Sequence, residues 1–316
     1  MQPTKIMQND KKQIRIQPAI RLLVLSFIGI AFGLVFVQGS HAQEVPQGDP
    51  VEGGKLYDNW YNALDQDPPE GNHPLWRRQE DNPLTGPKTW RCQECHGWDY
   101  KGVDGAYGEG DHFTGFSGVQ GVIGNSNEDI RAWLDGTRDA NHNFAPYINN
   151  TALDDLVAFL RTKQVDMALM IDYDSRTALG DKENGEVLYL ETCVSCHGED
   201  GKRRNFATAI NPVYLGDVAW QDPWRTVHKI RFGHPASNMP ASENLGWTLQ
   251  EVADVLAFMQ TLPTARPPID PTQESTRAMA IRLEEQGEII PVIYATVAIM
   301  LIILASAGIS ALRKSK

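Results

Sequence analysis

All four cysteines of this 316-residue chain fall in two pentapeptides, Cys92-Gln93-Glu94-Cys95-His96 and Cys193-Val194-Ser195-Cys196-His197. A glycine follows each one, Gly97 and Gly198. No cysteine is left over, so the chain is not a disulfide-dense scaffold. The two pairs stand 101 residues apart, each with its own histidine. A structural zinc site would gather four ligands from both pairs, and this spacing is a poor match to it.

Cys-x-x-Cys-His is the attachment motif of c-type haem. Two thioethers hold two edges of the ring, and the adjacent imidazole reaches the iron from one face. Two copies predict two covalently bound haem c groups. Cys92, Cys95, Cys193 and Cys196 are then the attachment residues, and His96 and His197 are iron ligands. The copies also mark an internal repeat. Gly185-Glu186-Val187-Leu188-Tyr189 precedes the second motif, and Gly54-Lys55-Leu56-Tyr57 precedes the first, with a long insertion between. Beyond the motifs, residues 154–160 match residues 251–259, with apolar side chains at helical spacing and acids in the first turn. Phe159 and Phe258 read as core residues of these closing helices. The length suits about two domains. With 41% hydrophobic and 22% charged residues, the chain can bury sizeable cores.

The two ends read differently. Residues 1–21 carry five cations against one acid, Leu22 to Val37 is an uncharged and mostly apolar run, and Ser40-His41-Ala42 follows. This is the pattern of an export leader ending at residue 42. Ile289 to Leu312 is a run of 24 residues without a charge. At about 1.5 Å per residue it forms a helix of about 36 Å, long enough to span a bilayer. Arg313, Lys314 and Lys316 come directly after it, which places the tail in the cytoplasm and the rest of the chain outside the inner membrane. Setting aside the five cations and one acid of residues 1–42 and the three cations of the tail leaves 21 Lys and Arg against 39 Asp and Glu, a formal −18. Such a body does not suit nucleic acid or anionic headgroups.

With these motifs in place, the chain resembles a membrane-anchored dihaem cytochrome c, with two class I cytochrome c-like domains in tandem over roughly residues 51–263. The resemblance implies an all-α fold, each domain wrapping its haem between an N-terminal and a C-terminal helix, plus the C-terminal transmembrane helix. The boundaries that follow are a leader over 1–42, a first haem domain over 43–165 and a linker over 166–179. The second domain then covers 180–263, a proline-rich spacer 264–288, the anchor 289–312 and the tail 313–316.

The family also implies where the sixth iron ligands lie. Met239, in Asn238-Met239-Pro240 and 42 residues after His197, takes the position of the ligand methionine, a soft thioether that raises the potential. Pro212 resembles the proline whose carbonyl orients the proximal histidine. The first domain departs from this pattern, with no methionine between Cys95 and Met167. Gly233 precedes Met239 by six residues, and Gly136 precedes His142 by six. His142 therefore falls in the methionine slot, and the first haem is expected to be bis-histidine. His112, Met167, Met170 or an open position remain alternatives there. His73, His228 and His234 read as solvent-facing or hydrogen-bonding residues.

Two segments are left. The insertion over residues 58–91, with five prolines and Trp60, Trp76 and Trp90, reads as a belt over the first haem or as a docking lobe. The glycine-rich residues 97–124 carry acids without EF-hand spacing and read as a loop around the haem edge. The function expected is electron transfer, with a membrane redox complex or a periplasmic redox protein as partner. The competing reading is a dihaem redox enzyme of the cytochrome c peroxidase kind. A thiosulfate dehydrogenase-like enzyme would want a cysteine ligand, and none is spare. A sensor would want an output module, and none is visible.

Overall fold

Two pairs of long helices organise the chain, and the reason is local. The computed structural model describes residues 47–265. Asp49 caps α1 (Pro50–Ala63), accepting from Val51 and Glu52 N–H, and proline sits in the first turn. Asn59 leaves the helical region at φ −159°, and its side chain caps the next turn by accepting from Asn62 N–H. The attachment motif forms the short α2 (Cys92–His96), which stops at Gly97 in a positive-φ conformation. After α3 (Asn127–Leu134), α4 (Asn150–Thr162) starts on an Asn149 cap. It lays its apolar face on α1.

The order then repeats. Asp181 caps α5 (Lys182–Thr192), and the second motif forms α6 (Val194–His197), ending at Gly198. Next come α7 (Leu215–Gln221), α8 (Pro223–Phe232) and the short α9 (Ser242–Leu245). A Thr248–Glu251 capping box opens α10 (Leu249–Met259), which packs on α5.

The two pairs agree in detail. Asp49 N–H donates to Asp155 at 2.7 Å, and Asp181 N–H donates to Asp254 at 2.7 Å. Gly53 lies against the backbone of Asp155, and Gly185 against that of Asp254, so each crossing is too close for a side chain. Tyr57 O–H donates to Gly97 O at 2.6 Å, and Tyr189 O–H to Gly198 O at 2.6 Å. Each N-terminal helix thus holds the end of its own attachment motif.

α8 joins the pairs into one hydrophobic core. His228 is buried with both nitrogens used. Nε2–H donates to Gly54 O at 2.9 Å, and Nδ1 accepts from Tyr100 O–H at 2.8 Å. Phe232 covers Gly54 and meets Phe159 edge-on at 5.2 Å. β-structure among the described residues is confined to three isolated bridges, and the architecture is mostly helical. No helix among the described residues is long and apolar enough to cross a membrane. The expected leader over 1–42 and anchor over 289–312 lie outside the described residues.

Candidate functional site

Both attachment motifs make a single helical turn, which presents the two cysteines one turn apart with the histidine next to the second. Burial pushes the Cys92 thiol up to about 12 and the Cys193 thiol up to about 11. Thiols raised in this way are not the activated thiolates of redox chemistry.

Around the first motif, His96 and His142 meet with ring centroids 6.2 Å apart at 72°. His96 Nδ1–H donates to Ser117 O at 2.7 Å, and His142 Nδ1–H donates to Trp133 O at 2.9 Å. Both tautomers are therefore set by a carbonyl, which leaves each Nε2 for a metal. A metal–imidazole bond of about 2 Å puts each ring centre just over 3 Å from an ion, so two imidazoles on opposite sides of one metal sit a little over 6 Å apart, a separation this pair matches. Burial, then repulsion by His142, lowers His96 to about 4, and burial also lowers His142. Both stay neutral, the state that ligates. Ser117 supplies the support that a proline supplies in the family pattern. It lies on the 97–124 loop, 21 residues from His96, and nothing in its local sequence signals the contact.

The competing candidates have other contacts. His112 stacks flat on Tyr107 at 4.5 Å and 9°. Met167 and Met170 are core residues. The 58–91 insertion folds over the His142 segment. His73 stands 5.8 Å from His142 and stacks on Phe144, Trp90 packs on Tyr147, and Arg78 pairs with Asp139. His73, read as solvent-facing or hydrogen-bonding, is buried and hydrogen-bonded. Its Nδ1 accepts from Leu75 N–H, its Nε2 has no partner, and burial followed by the two neighbouring imidazoles lowers it to about 4.

The second motif opens on a cavity of about 420 Å³ lined by Cys193, Cys196, His197 and Met239, with Phe206, Ile230, Leu245 and Trp247 as apolar walls. A second cavity of about 100 Å³ shares Cys193, His197 and Met239. That size and lining suit a cofactor. His197 Nδ1 is buried without a partner, so the expected Pro212 carbonyl does not hold it. The 204–213 loop bonds to itself instead, Phe206 N–H to Val213 O and Val213 N–H to Asn205 Oδ1. Burial, then Arg204, lowers His197. His234, expected to be solvent-facing or hydrogen-bonding, lines both cavities, and its Nδ1–H donates to Pro235 O at 2.7 Å.

The alignment of His142 with Met239 has a structural counterpart. Gly136 at φ +80° and Gly233 at φ +79° both turn the chain into these loops. A Cβ at Gly136 would meet the Asn143 side chain at 2.5 Å, and one at Gly233 would meet Met239 O at 2.6 Å. Only glycine combines that φ with that clearance.

The second motif and its cavity thus suit an iron porphyrin, and the His96–His142 pair suits a metal. Residues 180–259 match the family described as "Cytochrome C oxidase, cbb3-type, subunit III". The chain therefore contains a cytochrome c domain, which implies covalently bound haem c. More particularly, it is 28% identical over 179 residues to the gluconate 2-dehydrogenase cytochrome c subunit of Pantoea cypripedii. That match covers 49% of this chain and 34% of the relative, so the chain spans about a third of the relative's length. No solved structure matches the chain. The domain and the relative support electron transfer as its chemistry.

Proposed function

We propose that the chain is a dihaem electron carrier. Cys92, Cys95, His96 and His142 hold one haem c, and Cys193, Cys196, His197 and Met239 hold the other. The observation that carries this is the equivalence of the two helix pairs down to the Tyr57–Gly97 and Tyr189–Gly198 bonds, although only residues 180–259 match the family. Bound haem supplies one-electron exchange at iron. The protein's part is to fix ligands and exclude water. Ser117 and Trp133 carbonyls hold two imidazoles in one tautomer, and the 58–91 insertion covers the His142 side. A His142 pinned in this way favours a closed six-coordinate site, hence electron transfer over peroxidase chemistry.

The charge-free run over 289–312 and its basic tail support an inner-membrane anchor with the haem domains in the periplasm. The relative's name supports a partner that is a redox enzyme, such as a dehydrogenase, which the chain would serve as a tethered acceptor or subunit. The test is the mass of the purified mature chain. It should exceed the polypeptide by two haem groups, and both should be low-spin when oxidised. One haem, or a high-spin component, overturns the reading.

A further inference from the structure

One buried carboxylate lies between the two candidate haem sites. Asp58, on α1, is 1% exposed. Its Oδ1 accepts from Arg91 Nη2 at 2.9 Å, and its backbone carbonyl accepts from Arg91 Nε at 2.9 Å. Its Oδ2 accepts from Lys229 Nζ. Arg91 is the residue before Cys92 and also lies 3.5 Å from Glu94. Lys229, on α8, lines the cavity that holds Cys193, His197 and Met239, next to Arg225. Its ammonium also stands 5.5 Å from the ring of Trp98, two residues beyond His96. The three charges therefore run from the first attachment motif to the wall of the second site. Burial opposes ionisation of Asp58, but Lys229 and Arg91 outweigh it and hold the carboxyl below its usual value.

We propose that Asp58 is a positioning residue shared by both redox sites. It neutralises one cation at each, and so it sets both reduction potentials together. This rests on the two-haem reading above. Replacing Asp58 by asparagine leaves Arg91 and Lys229 facing one neutral amide, each with a charge less compensated so long as Lys229, which burial lowers to about 8 against the pull of Asp58, keeps its proton. Added positive charge favours the reduced iron, so both potentials rise. A buried unit charge acting over about 10 Å at an effective dielectric of about 20 changes a one-electron equilibrium roughly tenfold, about 59 mV. Lys229→Gln removes the cation on one side only. It should lower both potentials, and the two by unequal amounts.

The experiment is a spectroelectrochemical titration of the full haem-loaded chain, with the haem count taken from intact mass. Asp58→Asn is expected to move both waves upward, Lys229→Gln to move them downward and unequally, and the surface change Lys182→Gln to move neither. An unmoved wave in Asp58→Asn, with two haems and wild-type helicity, overturns the inference. Where Asp58→Asn does not assemble, Lys229→Gln decides, and two unmoved waves overturn it. A wild-type mass short of two haems overturns the two-haem reading and this inference with it, whereas two haems with an immobile wave overturn this inference alone.

Discussion

Gly185→Ala is expected to destabilise the protein although alanine is the better helix former. The Cβ it adds would lie 1.9 Å from Asp254 O, 2.4 Å from Asp254 C and 3.0 Å from Phe258 Cβ. Two of these neighbours are backbone atoms of α10, which cannot swing aside. Ordinary contact needs 3.4 Å or more, so α5 must retreat by over 1 Å. Asp254 is tied across the same crossing to Asp181 N–H at 2.7 Å and to Asn184 at 2.7 Å, and the retreat strains both bonds. One turn later the Tyr189–Gly198 bond loosens as well. Overpacking costs about 1–3 kcal/mol, and the tyrosine bond about 0.5–1.5 kcal/mol. Helix propensity returns about 1 kcal/mol. The net loss is about 1–3 kcal/mol, at about 2–4 °C per kcal/mol in a domain of this size. Thermal unfolding of the haem-loaded chain measures it, with Gly121→Ala as control, since a Cβ there meets nothing within 4 Å. An equal or higher midpoint for Gly185→Ala would refute the close-crossing argument.

Three more outcomes are expected. Met239 should place its haem above the His142 haem by about 100–300 mV, within the span of about 0.8 V that axial ligands help to set. In a redox titration, Met239→His should lower the upper wave and His142→Met should raise the lower one. His228 is lowered to about 3 by burial above all. The unfolded chain therefore takes up a proton that the folded chain refuses between about pH 6.5 and 3. Stability from this group is complete above pH 6.5 and is lost as the pH falls, by at most about 1.4 kcal/mol per unit. Urea midpoints measured from pH 7.5 to 5 should fall less steeply in His228→Gln than in the parent. A chain ended after Pro271 should leave the membrane fraction as a coloured soluble protein, and its retention there after leader removal would show the anchor to be misassigned.

Much of the site is legible in the sequence because haem attachment is local chemistry. Two cysteines and a histidine within five residues need one helical turn, and any reader of the chain can find them. The Gly136–His142 and Gly233–Met239 spacings are local as well, since a positive-φ glycine turns the chain into each of these loops. The caps at Asp49, Asn149, Asp181 and Thr248 are seen in the structure, whereas the closing helices follow from the apolar periodicity of residues 154–160 and 251–259. Such signals lie within a dozen residues of what they specify.

Other features were decided only when the chain closed on itself. Ser117 rather than a proline holds His96, His197 lacks the expected Pro212 carbonyl, and His73 takes its hydrogen bond buried beside His142. Asp58 finds Lys229 171 positions away, and His228 finds Gly54 174 positions away. These contacts join backbone carbonyls and single polar side chains that lie far apart in the sequence. Their partners are chosen by the packing of α8 against α1, where a buried donor or charge must take whatever acceptor the fold brings within reach. The sequence by itself determined which atoms are the candidates for haem attachment. The tertiary structure decided what holds those atoms still and what charge surrounds them, because both depend on neighbours that only folding supplies.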